Sequence, residues 1–297
     1  MNTTHAPRER CQISTVNFHL WKPCNMRCRY CFAHFDDAGH DNLSREESLA
    51  VVRELARGFE RITFVGGEPT LCPWLLDLVD AAASDGMGTS VVTNGWKLAH
   101  DERFRHELLE RLDWLGLSID SEERSTNLAI GRSVGRRTIA TAELARVVHQ
   151  ARELGLGIKV NTVVTRANAG EDLRSTISEL RPDRWKLFQA LPVRGQNDAA
   201  YQDLAVSREE FWAFVNRHRV LQNLGVVLVP EDHEALTGSY AMVDPGGYAF
   251  DNTQGGYRYS DSPIHRVGWS AAFGQLSLDA ERFVKRGGIY TLEGARK

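Results

Sequence analysis

Three cysteines within a span of eight residues constrain this chain more than any other feature. Cys24, Cys28 and Cys31 lie in the run KPCNMRCRYCF, residues 22–32, with the spacing C-x3-C-x2-C. Three thiolates on one short loop can bind three irons of a cubane iron–sulfur cluster. The fourth iron then takes no ligand from the motif and stays open to another molecule.

Two simpler interpretations of these cysteines are less favoured. A structural zinc site usually needs four ligands in paired knuckles, and the sequence has no second C-x2-C pair and no H-x3-H pair. A disulfide framework is not expected in a chain of 297 residues with five cysteines and no recognisable secretory signal. We assign no role to Cys11 or Cys72.

Composition is that of an ordinary globular protein and disfavours some classes of function. Hydrophobic residues make up 42%, charged residues make up 25%, and the formal net charge is −3. This balance argues against a surface that coats nucleic acid, and no apolar run approaches the roughly 18 residues of a membrane span. We therefore expect a cytoplasmic protein without membrane or nucleic-acid partners, and a reducing compartment suits its cysteines.

Strand-like runs alternate with amphipathic helical runs through most of the chain. Six β-then-α units between residues 13 and 220 predict an α/β fold, with parallel strands joined by right-handed crossovers. Because two further units are missing, we expect a partial, open (β/α)6 barrel of the TIM type. One of its helices opens at Ser44 with a capping box, SREE. The predicted strands are residues 13–20, 61–65, 89–93, 114–119, 157–164 and 184–190.

The expected domain organisation has three parts. A flexible N-terminus, residues 1–12, precedes the barrel at residues 13–220. The alternation then stops, and residues 221–297 form a C-terminal extension. We expect this extension to fold over the barrel and complete the site, because it contains no low-complexity linker.

Polar motifs follow the ends of three predicted strands. The run GGEP, residues 66–69, follows the second strand, TNG at 93–95 ends the third, and SID at 118–120 ends the fourth. Sites in parallel α/β folds lie at the carboxyl ends of the strands. The glycines let the backbone approach a ligand closely, and Glu68 can accept hydrogen bonds from an ammonium group. These motifs and the cysteines therefore predict one shared site.

The cysteine spacing resembles the signature of the radical S-adenosylmethionine (SAM) enzymes, and longer stretches resemble the viperin family, especially its microbial members. The cysteine motif fits the whole superfamily, whereas RWKLFQ and KRGGIY are much narrower. The matching stretches follow one another along nearly the whole chain: VNFH (16–19), GGEP (66–69), TNG (93–95), IGR (130–132), KVN (159–161), RWKLFQ (184–189) and KRGGIY (285–290).

The resemblance implies that SAM chelates the open iron of a [4Fe-4S] cluster held by Cys24, Cys28 and Cys31. Arg132 is a candidate for pairing with a carboxylate, and a solvated surface arginine is the alternative. Phe32 would stack near the adenine or belong to the core. The expected SAM-binding residues are Phe32, Gly66, Gly67, Glu68, Thr93, Asn94, Ser118 and Arg132.

Two departures from the animal viperins have consequences. Those proteins carry an amphipathic membrane-binding helix ahead of the barrel, whereas this sequence starts almost at its first predicted strand. We therefore expect no membrane anchor. Animal viperins typically have Ser-Asn-Gly after the third strand, and here Thr93 retains the hydroxyl.

Cations alternate with apolar residues on the fifth and sixth predicted strands. Since strand side chains alternate in direction, Lys159 and Asn161 share one face, and Arg184 and Lys186 share the face opposite to Trp185. Burying such cations inside a barrel is costly unless an anion pairs with them. A triphosphate would supply that anion; the alternative is a charged outer face of an edge strand.

The resemblance implies a ribonucleoside triphosphate as substrate, either CTP, UTP or GTP. Asn17 would bind the ribose or a phosphate, Asn161 would face SAM or the substrate, and Tyr240 would lie near the nucleobase. The expected substrate-binding residues are Asn17, Lys159, Asn161, Arg184, Lys186, Tyr240, Lys285 and Arg286.

The resemblance also implies the chemistry, which dehydrates the nucleotide. A 5′-deoxyadenosyl radical would remove the C4′ hydrogen, and loss of the 3′ hydroxyl as water, with one electron and one proton, would leave a 3′-deoxy-3′,4′-didehydro nucleotide (ddhNTP). Such a product stops a polymerase, which suggests antiviral or anti-phage defence. A flavodoxin or ferredoxin would donate electrons, and either a tyrosine or a water chain would supply the proton.

Two other functions remain open at this point. One is a radical SAM enzyme that acts on another nucleotide or on a peptide, or that builds a cofactor. Such enzymes often carry further cysteine clusters after the barrel, and no cysteine follows Cys72. The other is an iron–sulfur module that binds nucleic acid without catalysis, which would need a concentrated basic surface.

Overall fold

The computed structural model describes residues 11–36 and 39–290. The expected flexible N-terminus therefore lies almost wholly outside the described residues. The strands are β1 Thr15–His19, β2 Arg61–Val65, β3 Gly88–Thr93, β4 Trp114–Ser118, β5 Gly157–Val164, β6 Arg184–Gln189, β7 Val227–Glu231, β8 Ala241–Val243, β9 Ala249–Asp251 and β10 Arg258–Tyr259. The helices are α1 Arg45–Gly58, α2 Leu75–Ser84, α3 Trp96–His100, α4 Glu102–Leu109, α5 Arg124–Ala129, α6 Thr141–Glu153, α7 Arg174–Leu180, α8 Asp198–Leu204, α9 Arg208–His218, α10 His233–Leu236, α11 Ile264–Val267, α12 Trp269–Phe273 and α13 Ala280–Lys285.

All ten strands form one sheet with the order β10-β9-β8-β1-β2-β3-β4-β5-β6-β7. Strands β1 to β7 are parallel and follow chain order, which confirms the predicted α/β fold. Strand β8 pairs in parallel with the free edge of β1, and β9 and β10 continue antiparallel. The sheet therefore runs on into the C-terminal extension, and the domain division near residue 220 stays a prediction.

The main core lies between the sheet and the helices that cover its outer face. In β1, Val16 and Phe18 are fully buried in this core, whereas Asn17 between them lines an internal cavity. In β6, Trp185 is fully buried and its ring packs against Phe214 of α9. This alternation places apolar side chains under the helices and leaves the other face of the strands for polar residues.

Helix α1 begins as the capping box predicts. The Ser44 side chain accepts a hydrogen bond from the backbone N–H of Glu47 at 3.3 Å, and the Glu47 carboxylate accepts one from the backbone N–H of Ser44 at 3.0 Å. Two N–H groups that the helix itself leaves unpaired are thus satisfied. The start of α1 matters for the site because α1 follows the cysteine loop directly.

Several short helices were not predicted. Helices α3, α5, α8 and α10 to α13 have between four and seven residues. Such segments contain at most two turns, which is too short for an apolar period to be read from the sequence. None of the described helices combines the length and the apolar character that crossing a bilayer requires.

The capping box gives a stability prediction. Replacing Ser44 with alanine should lower the free energy of unfolding by about 1 kcal/mol, because an N-cap hydrogen bond is lost. Urea denaturation followed by circular dichroism, at matched iron content, measures the change. The control is Ser84→Ala at the exposed end of α2. Equal midpoints for the two variants would contradict the assignment.

Candidate active site

Nearly all the expected site residues line one internal cavity of about 780 Å³. Its walls come from the inner faces of the strands, the cysteine loop and the C-terminal extension. The expected residues that line it are Asn17, Cys24, Cys28, Cys31, Phe32, Gly66, Gly67, Glu68, Thr93, Asn94, Ser118, Arg132, Lys159, Asn161, Arg184, Lys186, Tyr240 and Arg286.

Lys285 is the expected residue that the structure places elsewhere. It is the exposed last residue of α13 and does not line the cavity. Phe283, two residues earlier, is buried and does line it. Residues two apart on a helix point to nearly opposite sides. The sequence prediction for Lys285 was therefore wrong in position, because it did not include α13.

The three cysteines lie on a loop that the barrel holds in place. The backbone N–H groups of Arg27 and Arg29 donate to the carbonyls of Gly131 and Ile130, at 3.1 and 2.9 Å. Within the loop, the N–H of Met26 points at the sulfur of Cys24 and the N–H of Ala33 points at that of Cys31, each at 3.4 Å. Such N–H groups would stabilise thiolate charge.

All three cysteines are free thiols that line the same cavity. Burial raises the pKa of each, and that of Cys31 reaches about 12, so metal loading must displace protons. Among the described residues, no group of three His, Cys, Asp or Glu could hold a single metal ion. A cubane cluster does not require that, since each thiolate binds a different iron. The donor set fits a cluster with three protein ligands.

The glycine turn after β2 packs directly against the cysteine loop. Gly66 has a φ of 149°, and the N–H of Gly67 donates to the Trp21 carbonyl at 2.7 Å. A Cβ on Gly67 would lie 2.2 Å from the carbonyl oxygen of Lys22. Only glycine fits here, so the two motifs that were predicted to share a site are in backbone contact.

Glu68 is buried and fully hydrogen-bonded. Its carboxylate accepts from the N–H and hydroxyl of Thr70 at 3.0 and 2.6 Å, from the Thr93 hydroxyl at 2.6 Å and from the N–H of Asn94 at 2.8 Å. Burial raises its pKa, and these hydrogen bonds offset the rise only in part. The hydroxyl retained at Thr93 thus positions Glu68.

Arg132 is not a solvated surface residue. Its Nε lies 3.0 Å from the Asp120 carboxylate, its Nη2 donates to the Ser118 carbonyl at 2.5 Å, and its Nη1 lies 4.0 Å from the sulfur of Cys28. The hydroxyl of Tyr30 also donates to Asp120. Sequence reasoning assigned roles to neither Tyr30 nor Asp120, although both lie in motifs that it quoted.

Phe32 belongs to the cavity rim. Its side chain is 39% exposed and lines the cavity, and the hydroxyl of Tyr257 donates to its carbonyl at 2.6 Å. The core alternative for Phe32 is therefore wrong. Its role beside an adenine stays a prediction.

The cations of β5 and β6 face the cavity, and Trp185 faces away from it, as the alternation predicts. Lys186 forms an ion pair with buried Glu231 at 2.7 Å and donates to the Tyr240 hydroxyl at 2.6 Å. Arg286 lies 3.4 Å from the same carboxylate. We call Lys186, Glu231, Tyr240 and Arg286 the Glu231 network.

A second set of cations lies deeper in the barrel. Lys159 donates to the hydroxyl of Tyr290, and Arg184 donates to the carbonyl of Gly287 at 2.7 Å. Arg61 joins them, since its guanidinium lies 4.6 Å from the centre of the Tyr290 ring. We call Arg61, Lys159 and Arg184 the floor cations. Neither Arg61 nor Tyr290 was predicted as a site residue. The signal in the sequence that could have pointed to Tyr290 was its position in the KRGGIY run.

Tyr240 is placed for hydrogen bonding more than for stacking. Its hydroxyl donates to Glu231, and the guanidinium of Arg286 lies 3.7 Å from its ring centre and covers one face. Burial raises the pKa of Tyr240 well above its ordinary value. Asn17 and Asn161 line the cavity between the cysteine loop and the floor cations. The Oδ1 atom of Asn161 is buried without a partner among the described residues.

The chain is similar to known enzymes over most of its length. The Radical SAM superfamily model matches residues 21–180. An S-adenosylmethionine-dependent nucleotide dehydratase from Flammeovirga pacifica is 44% identical, covering 94% of this chain and 96% of the relative. The nucleotide dehydratase RSAD2 from Oncorhynchus mykiss is 32% identical, covering 93% and 80%. Among solved structures, Streptococcus suis SuiB bound to S-adenosylmethionine aligns with a TM-score of 0.61 at 13% identity, covering 82% and 60%, which shows the fold alone.

The contact between the two motifs can be tested at Gly67. Replacing Gly67 with alanine should displace the cysteine loop, because the added methyl group meets the backbone of Lys22. We expect most of the iron and the visible absorbance of the anaerobically reconstituted protein to be lost. Gly170→Ala is the matched control, since a Cβ there meets nothing within 4 Å. Full iron content in Gly67→Ala would contradict this geometry.

Proposed function

The chain belongs to the viperin family of radical SAM enzymes, the S-adenosylmethionine-dependent nucleotide dehydratases, and on that basis we propose that it converts a ribonucleoside triphosphate to its ddhNTP analogue. One observation carries the proposal. A single cavity has three free thiols and the GGEP turn at one end and a concentration of cations at the other. A peptide substrate or a nucleic-acid-binding module does not call for this combination, and the relatives that are nucleotide dehydratases favour dehydration over another reaction on a nucleotide.

The cofactors occupy the carboxyl ends of the strands in this proposal. Cys24, Cys28 and Cys31 would hold a [4Fe-4S] cluster, which together with SAM would supply the radical chemistry that removes the C4′ hydrogen of the nucleotide. Glu68 accepts the SAM ammonium group, whose positive charge favours the ionised carboxylate. Arg132, held by Asp120, would pair with the SAM carboxylate through Nη1, which makes no ion pair with Asp120.

The remaining SAM contacts follow from the same end of the cavity. Gly66 and Gly67 let the backbone come close to the methionine part, and Asn94 and Ser118 offer polar groups at the strand ends. Phe32 at the rim is suited to contact the adenine, because aromatic faces stack on bases. We propose that Thr93 acts through Glu68 and does not touch SAM itself.

The nucleotide lies deeper, with its phosphates toward the floor cations. Lys159 and Arg184 have no carboxylate within salt-bridge distance among the described residues, so a triphosphate would supply the missing anion. Asn17 and Asn161 lie between the two ends and offer hydrogen bonds to the ribose. Arg61 does not line the cavity, and its contact with the ring helps to hold Tyr290 in place.

The Glu231 network is placed to supply the proton that the leaving 3′ hydroxyl needs. Tyr240 stays protonated at neutral pH, because burial raises its pKa, and its hydroxyl joins Lys186 to Glu231. A phenol held in this way can deliver a proton and be reprotonated through the ammonium of Lys186. We therefore assign Tyr240 to the ribose and not to the nucleobase.

Electron delivery and biological role complete the proposal. Arg27 is exposed on the cysteine loop, and Arg136 and Arg137 are exposed on the segment that follows Gly131, whereas the exposed Arg29 pairs with Asp203 at 2.8 Å. This basic rim suits an acidic flavodoxin or ferredoxin. The five free thiols suit a reducing cytoplasm. A product without a 3′ hydroxyl terminates RNA chains, which fits defence against viruses or phages.

An anaerobic assay tests the function. Reconstituted protein, SAM and dithionite are mixed with ATP, CTP, GTP or UTP, and products are measured by mass spectrometry. One pyrimidine or guanine nucleotide should yield a product lighter by one water, in equal amount with 5′-deoxyadenosine. Cys28→Ala should lose both iron and turnover. Release of 5′-deoxyadenosine without a dehydrated nucleotide would reject the substrate.

Nucleotide affinity should fall as the pH rises through about 8. Burial lowers the pKa of Lys186 to about 8. Burial raises the pKa of Tyr290, but the charge and hydrogen bond of Lys159 together with the charges of Arg61 and Lys186 outweigh it and lower that pKa to about 8. Above this pH the cavity loses a positive charge and gains a negative one, so the Kd should rise on the order of tenfold between pH 7 and 9.

Calorimetric titration with the turned-over nucleotide measures this rise. Lys186→Arg is the comparison, since an arginine stays protonated across the range. The Lys186→Arg variant should show a smaller rise of the nucleotide Kd with pH. A rise should remain, because Tyr290 still loses its proton in this range. A Kd that is independent of pH in the unaltered protein would contradict the charge assignment.

A further inference from the structure

The ring of Tyr290 stands among the floor cations. The charged groups of Arg61, Lys159 and Arg184 lie 4.6, 4.7 and 4.3 Å from its centre, and Trp114 meets it edge to face at 5.2 Å. Contacts of this kind between cations and an aromatic face are attractive. The ring therefore occupies a defined position and is not a loose part of the tail.

This position is the amino end of the barrel. Arg61, Trp114 and Arg184 are the first residues of β2, β4 and β6, and Lys159 pairs with Arg184 in the sheet. The strands are parallel, so their first residues meet at one end, opposite the cysteine loop and Glu68. Since Tyr290 lines the cavity and is also partly exposed, it forms the floor of the cavity.

A rigid turn delivers Tyr290 to this place. Phe283 is buried and anchors the turn, and the N–H of Gly288 donates to its carbonyl at 2.8 Å. Gly287 has a φ of 78°, which favours glycine, and its carbonyl accepts from Arg184. A Cβ on Gly288 would lie 2.3 Å from the Phe283 ring. Both glycines are thus required for the path of the chain to the floor.

The floor cations keep unneutralised charge. No salt bridge to Arg61, Lys159 or Arg184 exists within the described ranges, and the nearby carboxylate of Glu231 pairs with Lys186 and Arg286 instead. Nε of Arg184 is buried and unpaired there. The groups that meet these cations are uncharged at neutral pH: the phenol and ring of Tyr290, the Gly287 carbonyl and the Ser90 hydroxyl. Lys159 and Arg184, which line the cavity, are thus able to bind the far end of an anionic ligand.

We propose that Tyr290 is the residue that sets the length of polyphosphate the site accepts. This inference rests on the proposed function, in which the ribose lies toward the SAM end. The third phosphate then meets the floor cations, and a fourth would need the space that the ring fills. The phenol hydroxyl of Tyr290 orients Lys159. The ring of Tyr290 closes this end of the cavity, and we call it the wall.

Two substitutions separate these contributions. Tyr290→Phe keeps the wall and loses the hydrogen bond to Lys159. Tyr290→Ala removes the wall and opens the cavity at its floor. Ile289→Ala is the control for disturbance of the tail, since Ile289 is 58% exposed beside Tyr290. Tyr290→Leu keeps an apolar contact with Trp114 while shortening the wall, and it replaces the alanine variant if that one is unstable.

The 5′-triphosphates and 5′-tetraphosphates of cytidine, uridine and guanosine are the binding probes, titrated by calorimetry into cluster-loaded protein without reductant, because the ribose fixes which phosphate reaches the floor. The unaltered protein and Ile289→Ala should prefer the triphosphate by about tenfold or more. Tyr290→Phe should keep this ratio while both affinities fall by up to about tenfold. Tyr290→Ala should reduce the ratio to within about twofold. Iron content and thermal midpoints confirm that each variant is folded.

Turnover of the nucleoside triphosphate and tetraphosphate gives the second readout. The ratio of their kcat/KM values should collapse in Tyr290→Ala and persist in Tyr290→Phe. An unchanged ratio in a folded Tyr290→Ala protein that still dehydrates the triphosphate overturns this inference and leaves the proposed function standing. Length-selective binding that depends on Tyr290, without any nucleotide dehydration, supports the inference about the floor and rejects the proposed function.

Discussion

Positive charge held inside a parallel barrel is the constraint on which the rest of this structure depends. Lys159, Arg184 and Lys186 face inward because Trp185 must face the helices, and removing such ions from water costs several kcal/mol each. Glu231 offsets part of this cost, and aromatic faces and hydroxyls of the C-terminal extension offset more. The barrel and its extension are therefore energetically one unit, and the charge that remains is what makes an anionic ligand fit.

The opposite end of the cavity is organised by backbone and not by charge. The cysteine loop is hydrogen-bonded on one side to Gly131 and on the other to the turn at Gly67. These contacts join backbone groups, so they fix the loop against the barrel through hydrogen bonds that no side chain supplies. Glu68 receives its four hydrogen bonds from the same strand ends.

The sequence predicted those features that depend on local pattern, and missed those that depend on distant contacts. The bounds of β2 and β5 were predicted as observed, because β-branched runs end at clear turn signals. The cysteines were expected in the site from their spacing and Glu68 from the GGEP run after β2, and all four line the cavity. Lys285 was misplaced because a six-residue helix sets its direction, and no periodicity of that length can be read. Tyr290 was missed because only the tertiary fold brings the tail to the amino end of the barrel.

The pairing of β8 with β1 bears on how the protein is made. Val16 lies beside Ala241, and Phe18 lies beside Val243. This edge of β1 therefore pairs with a segment that is synthesised more than two hundred residues later. A nascent chain on the ribosome therefore exposes an unpaired strand edge for most of its synthesis, and unpaired edges promote aggregation. The cavity therefore closes only after the C-terminal extension has been synthesised.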